Sequence, residues 1–251
     1  MMAAVDRAPA QAATHVHLAR GRADDVPAGD EWLSPGERAV AATLRWPKRR
    51  SDWRLGRWVA KRAVIACWTD DPGAIEPPDI EILAQASGAP TARILAGPAT
   101  MPVSVSISHS DGMGLAVAAV GPVALGCDVE RIAPRTEWFV RDYFTAAERE
   151  QVAQTAMVDR AAVVTLIWSA KEAALKVLGE GMRLDTRAVG VECSRGPLPA
   201  GDRPAAFRVR VPDARYVRGW CWVGGGFVWT VAGDRPATLS QSRLPLCARP
   251  T

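Results

Sequence analysis

The sequence predicts an α+β protein built as two pseudo-symmetric α/β lobes, the product of an internal duplication. Three observations carry this expectation. Helical stretches that open on capping signals are interleaved with short runs rich in valine, tryptophan and alanine. Local patterns in the first half return in the second at a nearly constant offset. The chain has 251 residues, the upper end for one domain and enough for two small lobes, and it buries its own core without staples. The expected organisation is a loose start (1–13), a first lobe (14–106), a second lobe (107–233) and a tail (234–251).

In chain order, THVHLA (14–19) reads as a short strand. LSPGERAVAATLRW (33–46) reads as a helix, with Ser34 as N-cap and Glu37 three positions on as its capping-box partner. SDWRLGRWVAKRAVIACW (51–68) reads as a longer helix, and DDPGAIEPPD (70–79) as a turn-rich connector. MPVSVSISH (101–109) and GLAVAAVG (114–121) form a hairpin, followed by a third strand in VALGCDVERI (123–132). FTAAEREQVAQ (144–154) is a helix capped by Thr145 with Glu148 at the box position. Asp159 caps a long apolar helix that runs to about Leu178 and stops at Gly179 and Gly181. From Val189 onward the pattern returns to strands: VGVEC, AAFRVRV, GWCWVG and FVWTVAG. The last stretch, PATLSQSRLPLCARPT, reads as a loose terminus.

The repeat is visible in these segments. Ser34-Pro35-Gly36-Glu37-Arg38 matches Thr145-Ala146-Ala147-Glu148-Arg149 at an offset of 111, and Trp58-Val59-Ala60-Lys61 matches Trp168-Ser169-Ala170-Lys171 at 110. The copies differ in chemistry. Opposite Glu172 and Lys176 the first copy has Arg62 and Ala66; opposite Asp128 and Glu130 it has His17 and Ala19. One asymmetric site between the lobes is expected, with acids from the second and bases from the first.

A net charge of +4 and a pI near 9.0 favour acidic partners: nucleic acid, phosphorylated small molecules or acidic proteins. No apolar run reaches about 18 residues, and the start lacks the basic and apolar regions of a secretory leader. The five cysteines are odd in number and form no CxxC pair, against a disulfide framework or structural zinc. A soluble cytoplasmic protein without a membrane association is expected.

Asp128 and Glu130 lie two apart on a strand and share a face, and Trp168, Glu172 and Lys176 recur every fourth residue on one helix face. Three gathered carboxylates with no thiol or imidazole suit Mg²⁺. Taken singly, Asp-x-Glu is as well explained by a solvated strand end, and Glu172 with Lys176 by a surface ion pair. In SISHSDG (106–112), His109 between Ser108 and Ser110 is a structural histidine, an anion contact or a triad member, although no G-x-S-x-G elbow is present. Only four of the 31 basic side chains are lysines, and two of them, Lys171 and Lys176, lie five apart beside Glu172.

Taken together and in this order, SISHSDG, LGCDVE and WSAKEAALK resemble the 4′-phosphopantetheinyl transferases. That family's signatures are a Ser-His strand end, G-x-D-x-E and W-S-x-K-E-x-x-x-K. The chain length resembles the monomeric, two-lobed surfactin-synthetase-activating type. The resemblance implies transfer of phosphopantetheine from coenzyme A to a serine of an apo acyl or peptidyl carrier protein, releasing adenosine 3′,5′-bisphosphate. It implies a Mg²⁺ ion, replaceable by Mn²⁺, on Asp128, Glu130 and Glu172, with Glu172 as catalytic base, directly or through a metal-bound water. It implies that Lys176 binds the α-phosphate and steadies or protonates the leaving group, that Ser108 and His109 contact phosphates, and that Arg50 and Arg57 clamp the 3′-phosphate, with Arg49 and Arg54 as neighbours. Lys171 serves either the fold or the adenine pocket. Where the family often has Gly-Lys-Pro or Gly-Arg-Pro, this chain reads Ala96-Gly97-Pro98, which leaves Arg93 to replace the missing base. WFVRDYF (138–144) is expected to form part of a docking face for the acidic carrier or, equally, to be ordinary loop and core aromatics. Two rival functions remain. One is nucleic-acid binding through the Trp/Arg-rich stretch 45–62, although no binding motif appears there and its tryptophans are more simply packing residues. The other is a silent coenzyme A-binding relative.

Overall fold

The computed structural model describes residues 13–68, 75–95, 101–193, 201 and 204–241. The first half runs β1 (Thr14–Arg22), α1 (Pro35–Thr43), α2 (Pro47–Ile65), β2 (Ile80–Ala84), β3 (Pro90–Ile94), β4 (Val103–Ser110) and β5 (Met113–Val120). The second runs β6 (Leu125–Arg131), α3 (Glu137–Tyr143), α4 (Ala146–Gln154), α5 (Met157–Val177), β7 (Gly190–Cys193), β8 (Ala205–Arg210), β9 (Tyr216–Gly224), β10 (Phe227–Gly233) and β11 (Ala237–Gln241). One sheet has the order β11-β1-β5-β4-β3-β2 and the other β6-β10-β9-β8-β7. Without α3 and β11 the two chain paths are identical: a first strand, two helices, then four antiparallel strands of which the last pairs with the first. The duplication read from the sequence is therefore present as topology.

Each sheet is covered by its own long helix. α2 packs Leu55, Val59 and Val64 against Ile80, Ile82 and Val105, and α5 packs Ile167 and Leu175 against Val209 and Val228. The sheets meet through Leu18, Val117, Val129, Trp222, Trp229 and Val231. Each such side chain contributes about 1.5–3 kcal/mol on burial, so this layer holds the halves together.

The shared capping boxes explain two of the lysines. Ser34 accepts from the Glu37 N–H at 3.1 Å and Thr145 from the Glu148 N–H at 3.3 Å. Each glutamate also reaches across to the next strand pair, accepting from Ile82 N at 2.9 Å and Val191 N at 2.7 Å. Each is closed by a lysine from the long helix, Lys61 to Glu37 at 2.5 Å and Lys171 to Glu148 at 2.9 Å, with both lysine side chains fully buried. Lys171 also donates to Thr186 O and Val189 O, and Lys61 to Trp32 O, Pro77 O and Ile80 O. Of its two expected roles, Lys171 takes the one in the fold.

Several boundaries differ from expectation. α2 starts at Pro47, because proline at a first helical position loses no bond. α5 starts at Met157 behind Ala156, which places Asp159 inside the first turn rather than at the cap. Residues 137–143 form a helix capped by Thr136, and IEILA and PTARI pair as β2 and β3, too short for their patterns to register. The sheets part between β5 and β6 rather than at 106/107, since the 101–109 and 114–121 hairpin completes the first sheet. Part of the expected loose tail is β11, which lies parallel to β1. Residues 1–12, 69–74 and 242–251 of the expected loose ends and connector, and Ala96-Gly97-Pro98, lie outside the described residues.

Candidate active site

β6 is the outer strand of its sheet, and its alternation sends Cys127 and Val129 toward the first sheet. Gly126, Asp128 and Glu130 then face α5. A Cβ on Gly126 would stand 1.9 Å from Ala173 O and 3.1 Å from Val177 Cγ2, so only glycine admits α5 this close. The close approach delivers Glu172 and Lys176 to Asp128. Behind them Thr230 and Ser169 share a buried hydroxyl contact at 2.9 Å, and Thr230 Oγ1 also donates to Ser169 O at 3.1 Å, pinning α5 to β10.

Asp128 is the hub, its side chain only 2% exposed. Oδ1 accepts from Ser108 Oγ at 2.7 Å and from Lys176 Nζ at 3.1 Å. Lys176 also donates to Cys127 O at 2.8 Å and stands 4.0 Å from Glu172 Oε2. Burial, then the Asp128 charge, pushes the Glu172 carboxyl up to about 7. Burial and Asp128 also raise Glu130, against the pull of Arg135 at 3.3 Å. Burial opposes charge on Lys176, but Asp128 and Glu172 outweigh it and leave its ammonium held above the usual range.

The first half closes the cleft. His109 lies against α2 where Gly56 leaves room, a Cβ there being 4.0 Å from the imidazole Cδ2. Burial lowers its pKa, Asp52 opposes that, and Lys48, Lys176 and Arg57 reinforce it. Arg57 donates to Ile82 O at 3.3 Å and stacks on Trp53, and burial lowers it. Arg50 pairs with Asp30 at 3.2 Å. Arg54 is held by Asp30 and by the carbonyls of Pro27, Ala28 and Gly29. Arg93 is engaged by Glu81 at 2.6 Å. In the Trp/Arg stretch Trp58 is buried and Trp53 lies under Arg57, which leaves Trp46 as its exposed indole.

The structure thus gathers Ser108, His109, Asp128, Glu130, Glu172 and Lys176, with Arg57 facing His109, and sets Arg50 at the start of α2 against Asp30. It does not preassemble the expected metal triad. Among the described residues, no three carboxylate, imidazole or thiol side chains form a ready ligand set. The local contacts are those of cations and a hydroxyl: Ser108 and Lys176 take Asp128 Oδ1, and Arg135 pairs with Glu130. What fits a hard cation is the chemistry. Among the described residues Asp128 Oδ2 is buried with no hydrogen-bond partner, beside two carboxyls raised by burial and mutual repulsion. Sequence reasoning missed Arg135 and Thr230, which lie outside the motifs and carry no local pattern.

WFVRDYF divides between core and surface. Phe139 and Tyr143 pack on Trp168 with ring centroids at 4.9 and 5.2 Å, and Phe144 is buried. Trp138 stands 64% exposed under the Arg141 guanidinium. Beside it a groove of about 500 Å³ between α3, α4 and α5 carries Arg135, Arg141, Arg149 and Arg160 around Val140 and Met157.

Residues 124–221 match the model of the 4′-phosphopantetheinyl transferase superfamily, a span that holds Asp128, Glu130, Glu172 and Lys176. It is the superfamily that the motifs of this chain resemble. Among solved structures the chain is similar to an ACPS–CoA complex from Chronobacterium ammoniagenes, with 21% identity over 43% of this chain and 97% of that one, TM-score 0.37. It is similar to the Mycobacterium tuberculosis acyl carrier protein synthase, with 26% identity over 43% and 98%, TM-score 0.34. A third similarity is to the Thermotoga maritima holo-[acyl-carrier-protein] synthase, with 20% identity over 52% and 74%, TM-score 0.38. No curated protein matches the chain. Among the described residues no helix is long and apolar enough to cross a membrane.

Proposed function

We propose that the protein transfers the 4′-phosphopantetheine of coenzyme A to a serine hydroxyl of an acidic apo acyl or peptidyl carrier protein, releasing adenosine 3′,5′-bisphosphate. The observation that carries the reading is the meeting of Asp128, Glu172 and Lys176 in a segment of the phosphopantetheinyl transferase superfamily. Asp128, Glu130 and Glu172 would hold Mg²⁺, which when bound offsets the pyrophosphate charge and polarises the attacked phosphorus. The remaining work falls to the chain itself. Glu172, raised to about 7, accepts the serine proton as the oxygen attacks phosphorus. Lys176, kept charged by its acidic neighbours, donates hydrogen bonds to the phosphate that leaves and stabilises its growing charge. Ser108 and His109 orient phosphate oxygens from β4, and Arg57 with Arg50 supplies guanidinium donors for the 3′-phosphate.

The Arg-lined groove and the exposed Trp138 support the partner assignment. An acidic helix gains from the four arginines, and its apolar face gains from Val140 and Met157. The chain is proposed to act as a monomer in the cytoplasm. The test is intact-mass measurement of several apo carrier proteins after incubation with coenzyme A and Mg²⁺. A gain of one phosphopantetheine arm on at least one carrier is expected, and no mass gain on any would overturn the reading. Binding that ignores coenzyme A and Mg²⁺ but weakens steeply with salt on nucleic acid would favour the rival instead.

A further inference from the structure

The alternating serines of V-S-V-S-I-S-H-S on β4 do more than decorate a strand. The hydroxyls of Ser106 and Ser108 face β6 and that of Ser104 faces the connection before it, while Val105 packs under α2. β6 is an outer strand, and every second N–H points away from its partner β10. β4 supplies no backbone ladder there; it supplies hydroxyls. Ser104 Oγ accepts from Val123 N at 3.0 Å, Ser106 Oγ from Cys127 N at 3.1 Å, and Ser108 Oγ from Val129 N at 3.3 Å. Ser106 is buried, so no solvent replaces it.

The middle rung has a consequence for the chemistry. The Cys127 residue that donates its N–H to Ser106 offers its carbonyl to Lys176 Nζ at 2.8 Å. The next side chain, Asp128, is the ion-pair partner of that same ammonium. We infer that Ser106 is a positioning residue: its hydroxyl fixes the Cys127 backbone that holds Lys176 against Asp128. This inference rests on the proposed transfer reading for its kinetic arm only. Ser104, the outer rung, returns its proton to Gly121 O at 2.9 Å and holds the connection between the lobes without touching the site, so it serves as the matched control.

The experiment compares Ser106→Ala, Ser106→Thr and Ser104→Ala in the full chain. With only four lysines, the Lys176 ammonium is assignable by nitrogen-15 lysine labelling, and Cys127 amide exchange is read on the same samples. Ser106→Ala is expected to expose the Cys127 amide to exchange and shift the Lys176 ammonium signal. It should also lower kcat by roughly ten- to a hundredfold with KM for coenzyme A little changed. Ser106→Thr keeps the hydroxyl and should restore both signals and most of kcat; Ser104→Ala should leave kcat and the Lys176 signal as in wild type. If Ser106→Ala does not fold, Ser106→Cys keeps the volume with a poorer acceptor and is read in the same way. An unchanged Lys176 signal in the Ser106 variant, or an equal kcat loss in Ser104→Ala, overturns the inference. A wild-type protein without transfer activity overturns the functional reading alone, and the two spectroscopic readouts then decide the positioning role.

Discussion

Replacing Lys171 and Lys176 by methionine, one at a time, separates two roles that share one helix. Lys171 is fully buried and is the cation paired with Glu148, whose other partners are the Thr145 and Val191 N–H groups. Methionine fills its volume but leaves a buried carboxylate uncompensated, a loss of about 3–5 kcal/mol. At about 2–4 °C per kcal/mol for a chain of this size, the melting temperature should fall by roughly 6–20 °C. The folded fraction should keep its kcat. Lys176 is 29% exposed, and its partner Asp128 keeps the Ser108 hydrogen bond, so Lys176→Met should lower the melting temperature less. Its cost should appear in catalysis, as a kcat loss of about 10²–10⁴-fold. Thermal unfolding and single-turnover transfer, measured below both transitions, give the two numbers. The reasoning is refuted if Lys171→Met melts like wild type yet loses turnover, or if Lys176→Met raises KM alone.

Glu172→Gln removes one charge from a crowded carboxylate set, so transfer should vanish while the melting temperature holds or rises; wild-type turnover by intact mass would remove Glu172 from its assigned role. Gly126→Ala places a methyl where Ala173 O stands, so unfolding should show a loss of about 1–3 kcal/mol from overpacking, together with loss of transfer; a wild-type melting temperature would mean that α5 does not depend on this approach. Burial pushes the thiols of Cys67 and Cys221 up to about 12 and that of Cys127 to about 11, so at pH 8 their thiolate fractions are lower than for a free thiol by about a hundredfold or more. Ellman's reagent should therefore leave them unmodified until the protein unfolds, and rapid native labelling of Cys127 would contradict the packing between the sheets.

The duplicated path was legible because its markers are local. A capping box and a Trp-x-x-Lys turn each occupy one helix, so their recurrence survives without any knowledge of the tertiary contacts. The candidate site side chains were legible for a similar reason: Asp128 and Glu130 share a strand face, and Glu172 and Lys176 a helix face. What stayed hidden depends on partners distant in sequence. Lys171 and Lys176 look alike in sequence, and only Glu148 and Asp128, brought from other elements, give one to the fold and the other to the site. β11 hides because five mixed polar and apolar residues gain their strand character from the open edge of β1. The pairing of Glu130 depends on Arg135, which lies in an irregular loop with no pattern to mark it.

Mn²⁺ binding followed by electron paramagnetic resonance, with and without coenzyme A, probes the site most directly. Asp128, Glu130 and Glu172, now engaged by Lys176 and Arg135, should close on one ion once the coenzyme's phosphates draw those cations away. One Mn²⁺ per chain is expected in the presence of coenzyme A, with Asp128→Asn abolishing it. Saturating coenzyme that recruits no ion, or a signal of wild-type strength in the Asp128→Asn variant, would contradict the account.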